Sequence, residues 1–185
     1  TLIPNSLVDV VGTLVVNPLK ARFNNRTLLS MGLICILISS LGLALVPQNA
    51  NIWWLSILGM FSGFGVGFIF VLLQIKVQVD ASEKNMAPAT SLSYLIRILA
   101  QTVMAAVYGV IMNMQLAKGV AENSGITMNM LNKLSDANSA KNLPQNLLPT
   151  MRNIFHLGLQ EIMWCSTGLL IIAIGLNFIF NKNTK

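Results

Sequence analysis

Residues Thr27–Ile75 read TLLSMGLICILISSLGLALVPQNANIWWLSILGMFSGFGVGFIFVLLQI, and these 49 positions contain no Asp, Glu, Lys, Arg or His. A buried helix of a soluble protein is apolar over about 10–14 residues, whereas a membrane-spanning helix needs about 20. The stretch contains two lengths of the second kind, separated by the uncharged break Pro47–Asn51. Arg26 precedes it and Lys76 follows it. The pattern therefore predicts a transmembrane helical hairpin.

The composition of the whole chain agrees with a membrane protein. Of its 185 residues, 54% are hydrophobic and 10% are charged, and the mean hydropathy is +0.67. A soluble domain carries about 25% charged residues. The net charge of +6 would suit nucleic acid, but the cations lie at the ends of apolar runs and form no basic stripe among aromatic residues. Nucleic-acid binding is therefore not expected.

The side chains that metal binding or catalysis would need are scarce. The chain has two cysteines, each within an apolar segment, and one histidine. Their spacing matches no metal or cofactor site, and no Ser/His/Asp, Cys/His or paired-carboxylate set is available. We therefore expect no metal, no cofactor and no enzyme activity.

Five segments are long and apolar enough to cross a membrane. They are predicted at residues 1–19, 27–46, 52–74, 91–114 and 158–180, with an outer loop at 115–157. Backbone polar groups in lipid must be hydrogen-bonded within the segment, so the spans should be helices. The expected fold is an all-α membrane protein with a bundle of five transmembrane helices. Pro149 suits the first turn of a helix and gives the last helix an earlier alternative start.

The distribution of cations predicts the orientation in the membrane. Lys and Arg concentrate in the 19–26 link, the 75–90 link and the C-terminal tail, which five crossings place on one side. Cytoplasmic loops carry the excess of cations, so we expect a multi-pass cell-membrane protein with its N-terminus outside and its C-terminus cytoplasmic. An odd number of helices that begins within a span suggests the last part of a larger bundle.

Asp9 is the first candidate functional residue. It lies between Val8 and Val10, and an acid at the centre of a membrane helix costs about 2.5–3.5 kcal/mol. Such acids usually face a bundle interior, where they relay protons or attract cations. Asp9 is therefore a candidate for substrate or proton recognition, with a shallow or structurally paired acid as the alternative. Arg97, in the fourth span, either snorkels to the cytoplasmic interface or forms an ion pair or a gating contact.

Glycines recur at four-residue spacing in the third span. Gly59, Gly63 and Gly67 place small residues along one side of the predicted helix. Such a ridge allows two helix backbones to approach closely, so these glycines are predicted to form a helix-packing face.

The order of these motifs resembles the major facilitator superfamily. Asp9 followed by the basic segment Asn17–Arg26 resembles the helix and cytoplasmic loop of those transporters, and the Gly-x-Gly-x-Gly core of residues 57–74 resembles a glycine-rich helix in them. The segment Thr90–Arg97, followed by small residues and Gly109, is similar to the next-to-last helix of the fourteen-helix drug:proton antiporter group.

This resemblance covers nearly the whole chain and implies the last five helices of such a transporter, whose N-terminal half is missing here. The implied function is proton-coupled efflux of cationic or amphipathic drugs, with the lipid bilayer, a small-molecule substrate and protons as partners. By the same resemblance, Asp9 would line the central cavity, and Arg22 and Arg26 would form a gating loop. A transporter of a small metabolite and a non-transporting or truncated membrane subunit are the alternatives.

Overall fold

The structure is a computed structural model that describes residues 19, 22–47, 50–134 and 143–180. Within these ranges every regular element is helical, which agrees with the all-α expectation. The elements are α1 (Asn25–Leu45), α2 (Ile52–Asp80), a 3₁₀ turn (Glu83–Asn85), α3 (Met86–Glu122), α4 (Met128–Leu134) and α5 (Leu148–Phe180).

Four of these helices, α1, α2, α3 and α5, are long and apolar enough to cross a membrane. The mean hydropathy of their most apolar 18-residue windows lies between 1.8 and 2.4. They correspond to the second to fifth predicted spans and are consistent with a helical membrane bundle. The first predicted span, 1–19, which includes Asp9, lies outside the described residues apart from Leu19.

Several helices are longer than the apolar spans predicted for them. α2 continues to Asp80 instead of ending near residue 74, and α3 runs from Met86 to Glu122 instead of 91–114. At 1.5 Å per residue α3 is roughly 55 Å long, against about 30 Å for the hydrocarbon core of a bilayer. Hydropathy detects the part of a helix that lies in lipid, whereas these extra turns are more polar.

The segment 115–157, predicted as an outer loop, is helical over much of its length. It contains the last two turns of α3, all of α4 and the first turns of α5, which starts at Leu148 with Pro149 in its first turn. These elements enclose a buried apolar cluster that we call the outer cap, after the predicted outer loop in which it falls. Its buried members are Leu116, Ile126, Leu131, Leu143, Met151 and Ile154.

The outer cap is tightly packed. Leu131 and Met151 are 0% exposed. At Gly119 a Cβ atom would lie 2.6 Å from the side chain of Ile154, so α3 and α5 touch there without room for a larger residue. Leu131 of α4 is a buried member of the same cluster, and removing such apolar surface from solvent is favourable.

α1 and α2 approach each other closely at Gly32 and Gly65. A Cβ at Gly65 would lie 2.8 Å from the main-chain oxygen of Gly32 and 2.5 Å from the Ile36 side chain. Real Cβ atoms almost never come so close to other heavy atoms. The absence of a side chain at Gly65 therefore sets the distance between the two helices.

The helices form a ring in which α1 packs against α2 and α5, and α3 packs against α5 and, less extensively, α2. α3 is the least enclosed member, since none of its most apolar window is buried against the rest of the described chain. Leu99, Val103 and Val110 are among its exposed apolar residues. Such a face suits lipid or a further helix.

Candidate functional site

Hydroxyl and amide side chains bridge α1 and α5 near the middle and one end of their contact. The Ser40 hydroxyl lies 2.8 Å from the Thr167 hydroxyl and donates to the main-chain oxygen of Met163 at 3.1 Å. Gln160 donates through Nε2 to the main-chain oxygen of Ala44 at 3.1 Å. Ser40 and Thr167 are buried, and buried polar groups in a bundle are stabilised only when they have partners. These bonds fix the register of the two helices.

The opposite end of the same contact is closed by Arg26 and Asn177. Arg26 donates through Nη2 to the main-chain oxygen of Phe178 at 3.0 Å, and its guanidinium lies 4.9 Å from the centre of the Phe178 ring. Asn177 donates through Nδ2 to the Ser30 hydroxyl at 2.9 Å. The last carbonyls of a helix lack partners and carry partial negative charge, so Arg26 satisfies and neutralises the end of α5.

The two predicted gating arginines therefore differ in their surroundings. Arg26 is bonded to another helix, whereas Arg22 lies in the turn before α1 with an exposed side chain. The backbone N–H of Arg22 donates to the main-chain oxygen of Leu19 at 3.0 Å. The structure thus places a helix-to-helix contact at Arg26 and a solvent-facing cation at Arg22.

Arg97 is held between two aromatic rings. Its guanidinium carbon lies 3.9 Å from the centre of the Phe70 ring on α2 and 4.7 Å from the centre of the Tyr94 ring on α3. Cation–π contacts of this kind are worth about 0.5–2 kcal/mol, depending on how far water is excluded. Within the described part of the chain no carboxylate pairs with Arg97. The predicted ion pair is therefore not formed among these residues, and an α2–α3 contact is present.

A cavity of about 230 Å³ lies between α2 and α3 at this place. Arg97, Tyr94 and Gln74 contribute the larger polar groups of its lining, and Phe70 and Leu73 contribute apolar surface. This combination can bind a ligand through aromatic faces, a cationic donor and an amide. Arg97 is thus the one sequence-predicted charged site residue that the structure places in a described cavity.

A second set of polar side chains joins α3 to α5. The Tyr108 hydroxyl lies 2.7 Å from the Ser166 hydroxyl, and Gln115 donates through Nε2 to Oε1 of Glu161. One face of α3 carries four polar side chains, because their spacings are close to multiples of the 3.6-residue turn. They are Tyr94, Arg97, Tyr108 and Gln115. α3 therefore presents a polar face to the bundle and an apolar face away from it.

The glycines of α2 lie on two sides of that helix. Gly63 and Gly67 are buried, whereas a Cβ at Gly59 would meet no atom within 4 Å among the described residues. The approach to the Gly32 backbone is made by Gly65, which lies about 200° around the helix from Gly63. The predicted packing face consists of Gly59, Gly63 and Gly67 and does not include Gly65, because spacing alone does not tell which side meets a neighbour.

The hydroxyl residues of the helix contacts were also missed from the sequence. Ser39, which donates to the main-chain oxygen of Leu58 at 2.7 Å, and its neighbour Ser40 interrupt a charge-free apolar run. Adjacent serines in such a run are a usable signal, since small polar residues favour helix–helix interfaces in membranes. Asp9, the residue singled out for chemistry, lies outside the described residues.

A comparison with curated proteins supplies one relative. Multidrug resistance protein 3 of Bacillus subtilis (strain 168) is 28% identical to this chain over 111 residues. The chain is similar to a multidrug resistance protein. The match covers 60% of the chain but 22% of the relative, so the chain spans about a fifth of that protein's length. The apolar helices and this relative together support a membrane transporter in general terms.

Two other comparisons gave no match. No family model matches the chain. No solved structure matches it either.

Proposed function

We propose that the chain is part of a major-facilitator-type transporter that exports cationic or amphipathic drugs in exchange for protons. The observation that carries the proposal is the similarity to Multidrug resistance protein 3 in a chain with four described apolar helices. In this proposal the remaining helices come from the N-terminal half of the same transporter. The protein lies in the cell membrane with the Arg26 end of the bundle at the cytoplasm.

The hydrogen bonds between helices suit transport by movement of rigid units. α1 is joined to α2 through the Gly65 contact and to α5 through the bonds of Ser40 and Arg26. These three helices would move as one body, as expected where substrate reaches either side by rocking of helical bundles. α3 is held to this body by α5 and, less extensively, by the contact of Arg97 with Phe70 on α2, and the second of these is the contact that we expect to change during rocking.

Asp9 supplies the coupling in this mechanism. A carboxylate among apolar residues stabilises either a bound drug cation or a bound proton, because one negative charge cannot neutralise both in lipid. Drug binding would release the proton, and a proton arriving from outside would release the drug. The exchange of one for the other follows from competition at a single group.

A transporter of a small anionic metabolite is the second candidate. The observation that favours it is Arg97, a cation with no carboxylate partner in the described part of the chain, in a cavity of about 230 Å³. An arginine of this kind is suited to a carboxylate or phosphate group. The two candidates predict opposite charges for the substrate.

The test is transport by the complete protein that contains this chain, in cells without other drug pumps. We expect efflux of the cation ethidium that stops when a protonophore removes the proton gradient. D9N should lower the efflux at least about tenfold, since it removes the exchanging charge, and K133Q in α4 should not lower it. Efflux that persists unchanged in D9N would remove Asp9 from the mechanism, and uptake of anions without drug efflux would select the second candidate.

A further inference from the structure

A separate cavity lies at the end of the bundle away from Arg26, between the end of α1, the start of α2 and α5. Its volume is about 340 Å³. Leu43, Val46, Leu55 and Met163 line it together with the two polar side chains His156 and Gln160. Most of its surface is therefore apolar.

Gln160 is a polar side chain of the cavity lining that is held in place by a hydrogen bond. Its Nε2 donates to the main-chain oxygen of Ala44, in the last turn of α1, at 3.1 Å. This bond satisfies a carbonyl that the helix end leaves without a partner. Because the amide is held by α1, Gln160 keeps α1 and α5 in place on either side of the cavity, and a ligand can enter without first breaking their contact.

Two basic side chains mark one side of the cavity, where His156 belongs to the lining and the cation Arg152 precedes it on α5. Arg152 and His156 are four residues apart on α5, so they share one face, and Arg152 lies about 6 Å further along the helix. Arg152 is exposed. The nearest acid on α5, Glu161, lies about half a turn around the helix from Arg152 and accepts a hydrogen bond from Gln115 of α3. The lining of the cavity contains no acid among the described residues.

Tryptophans indicate the depth of this cavity. Trp53 and Trp54 begin α2, directly before Leu55 of the cavity lining, and both are exposed on the surface of the bundle. Tryptophan is enriched at the membrane–water interface, where its ring sits at the level of the lipid headgroups. The opening of the cavity is therefore at the depth where the lipid phosphates lie.

We propose that this cavity binds an anionic phospholipid, with an acyl chain against Leu55 and Met163 and the phosphate at Arg152 and His156. The apolar lining matches the chain, and the two basic side chains match the negative headgroup. A cationic drug is disfavoured there by the same charges. The site does not depend on transport and goes beyond the function proposed above.

Photo-cross-linking of the complete protein that contains this chain, in lipid nanodiscs, tests the proposal. One probe is phosphatidylglycerol with a diazirine in the middle of an acyl chain, and the other is phosphatidylcholine with the same chain. We expect the first probe to label the peptides that contain Leu55 and Met163 about three to five times more than the second, the ratio expected for a surface ion pair. Equal labelling by the two probes on the unchanged chain overturns the proposal.

Variants locate the headgroup and the acyl chain. R152Q/H156Q should reduce labelling by phosphatidylglycerol to the level of phosphatidylcholine, whereas K118Q, which removes a cation from α3 at the same end of the bundle, should not. A50W, which fills the cavity mouth, should reduce labelling by both probes. If the double variant aggregates, the exposed R152Q alone serves in its place, and undiminished preference for phosphatidylglycerol in that variant contradicts the proposal.

Discussion

Arg26, at the start of α1, donates a 3.0 Å hydrogen bond to the main-chain oxygen of Phe178, in the last turn of α5. Two residues that are 152 positions apart in the sequence thus lie together at one end of the bundle. The arginine combines a hydrogen bond, a ring contact and a favourable charge at the carbonyl end of a helix.

R26Q should therefore weaken the attachment of α5 to α1. Loss of a charge-assisted bond at a helix end is expected to lower the free energy of unfolding by about 1 kcal/mol. Thermal unfolding in detergent measures the change. R22Q is the matched control, because Arg22 is exposed, and equal losses in the two variants would show that the effect comes from net charge and not from the Phe178 contact.

G65A should destabilise the α1–α2 hairpin, since its Cβ would lie 2.8 Å from the main-chain oxygen of Gly32 and the backbones would have to move apart. Overpacking of this kind costs about 1–3 kcal/mol. G59A is the control. Its Cβ meets nothing within 4 Å among the described residues, so it should be neutral or stabilise the helix by up to about 1 kcal/mol. Resistance to proteolysis in detergent compares G65A with G59A. Equal resistance of the two variants would contradict a tight helix contact at Gly65.

Ser40 and Thr167 should show energetic coupling. The two hydroxyls share one hydrogen bond, which either single change removes, so the second change takes nothing more from that bond. A double-mutant cycle of S40A, T167A and S40A/T167A is expected to give a coupling of about 0.6–1.7 kcal/mol, the range found in membrane helices. S91A, at an exposed position on α3, should show no coupling with T167A. Additive effects of the first pair would contradict the 2.8 Å contact.

R97Q should loosen α3 from α2 by removing the cation between Phe70 and Tyr94. The free energy of unfolding should fall by about 0.5–2 kcal/mol in R97Q. R97K keeps the charge but not the planar group, so its free energy of unfolding should fall by an intermediate amount. The free energies of unfolding of R97Q, F70L and the double variant together measure the coupling energy between Arg97 and Phe70. F61L, at an exposed aromatic position on α2, is the control for loss of ring surface and should not depend on the residue at 97.

The spans could be predicted from the sequence because about 20 apolar residues without charge have few uses outside a membrane. The ends of the helices could not be predicted, since the turns of α3 and α5 beyond the apolar spans are amphipathic. Their local sequence is typical of a loop. The position of Arg26 beside the membrane was predictable from charge, but its bond to Phe178 depends on how distant helices pack. The same reason explains why the predicted packing face contained the four-residue glycine repeat and did not contain Gly65.

The outer cap has a mechanical consequence for α3. It clamps α3 to α5 at Gly119, while Arg97 lies 22 residues away, which is about 33 Å along the helix axis. A lever of that length, pivoting at the cap, would carry Arg97 through about 6 Å for a tilt of about 10°, and Tyr108, halfway along it and in contact with Ser166, through about half that distance. A movement too small to open the cap would thus be enough to separate the guanidinium from the Phe70 ring.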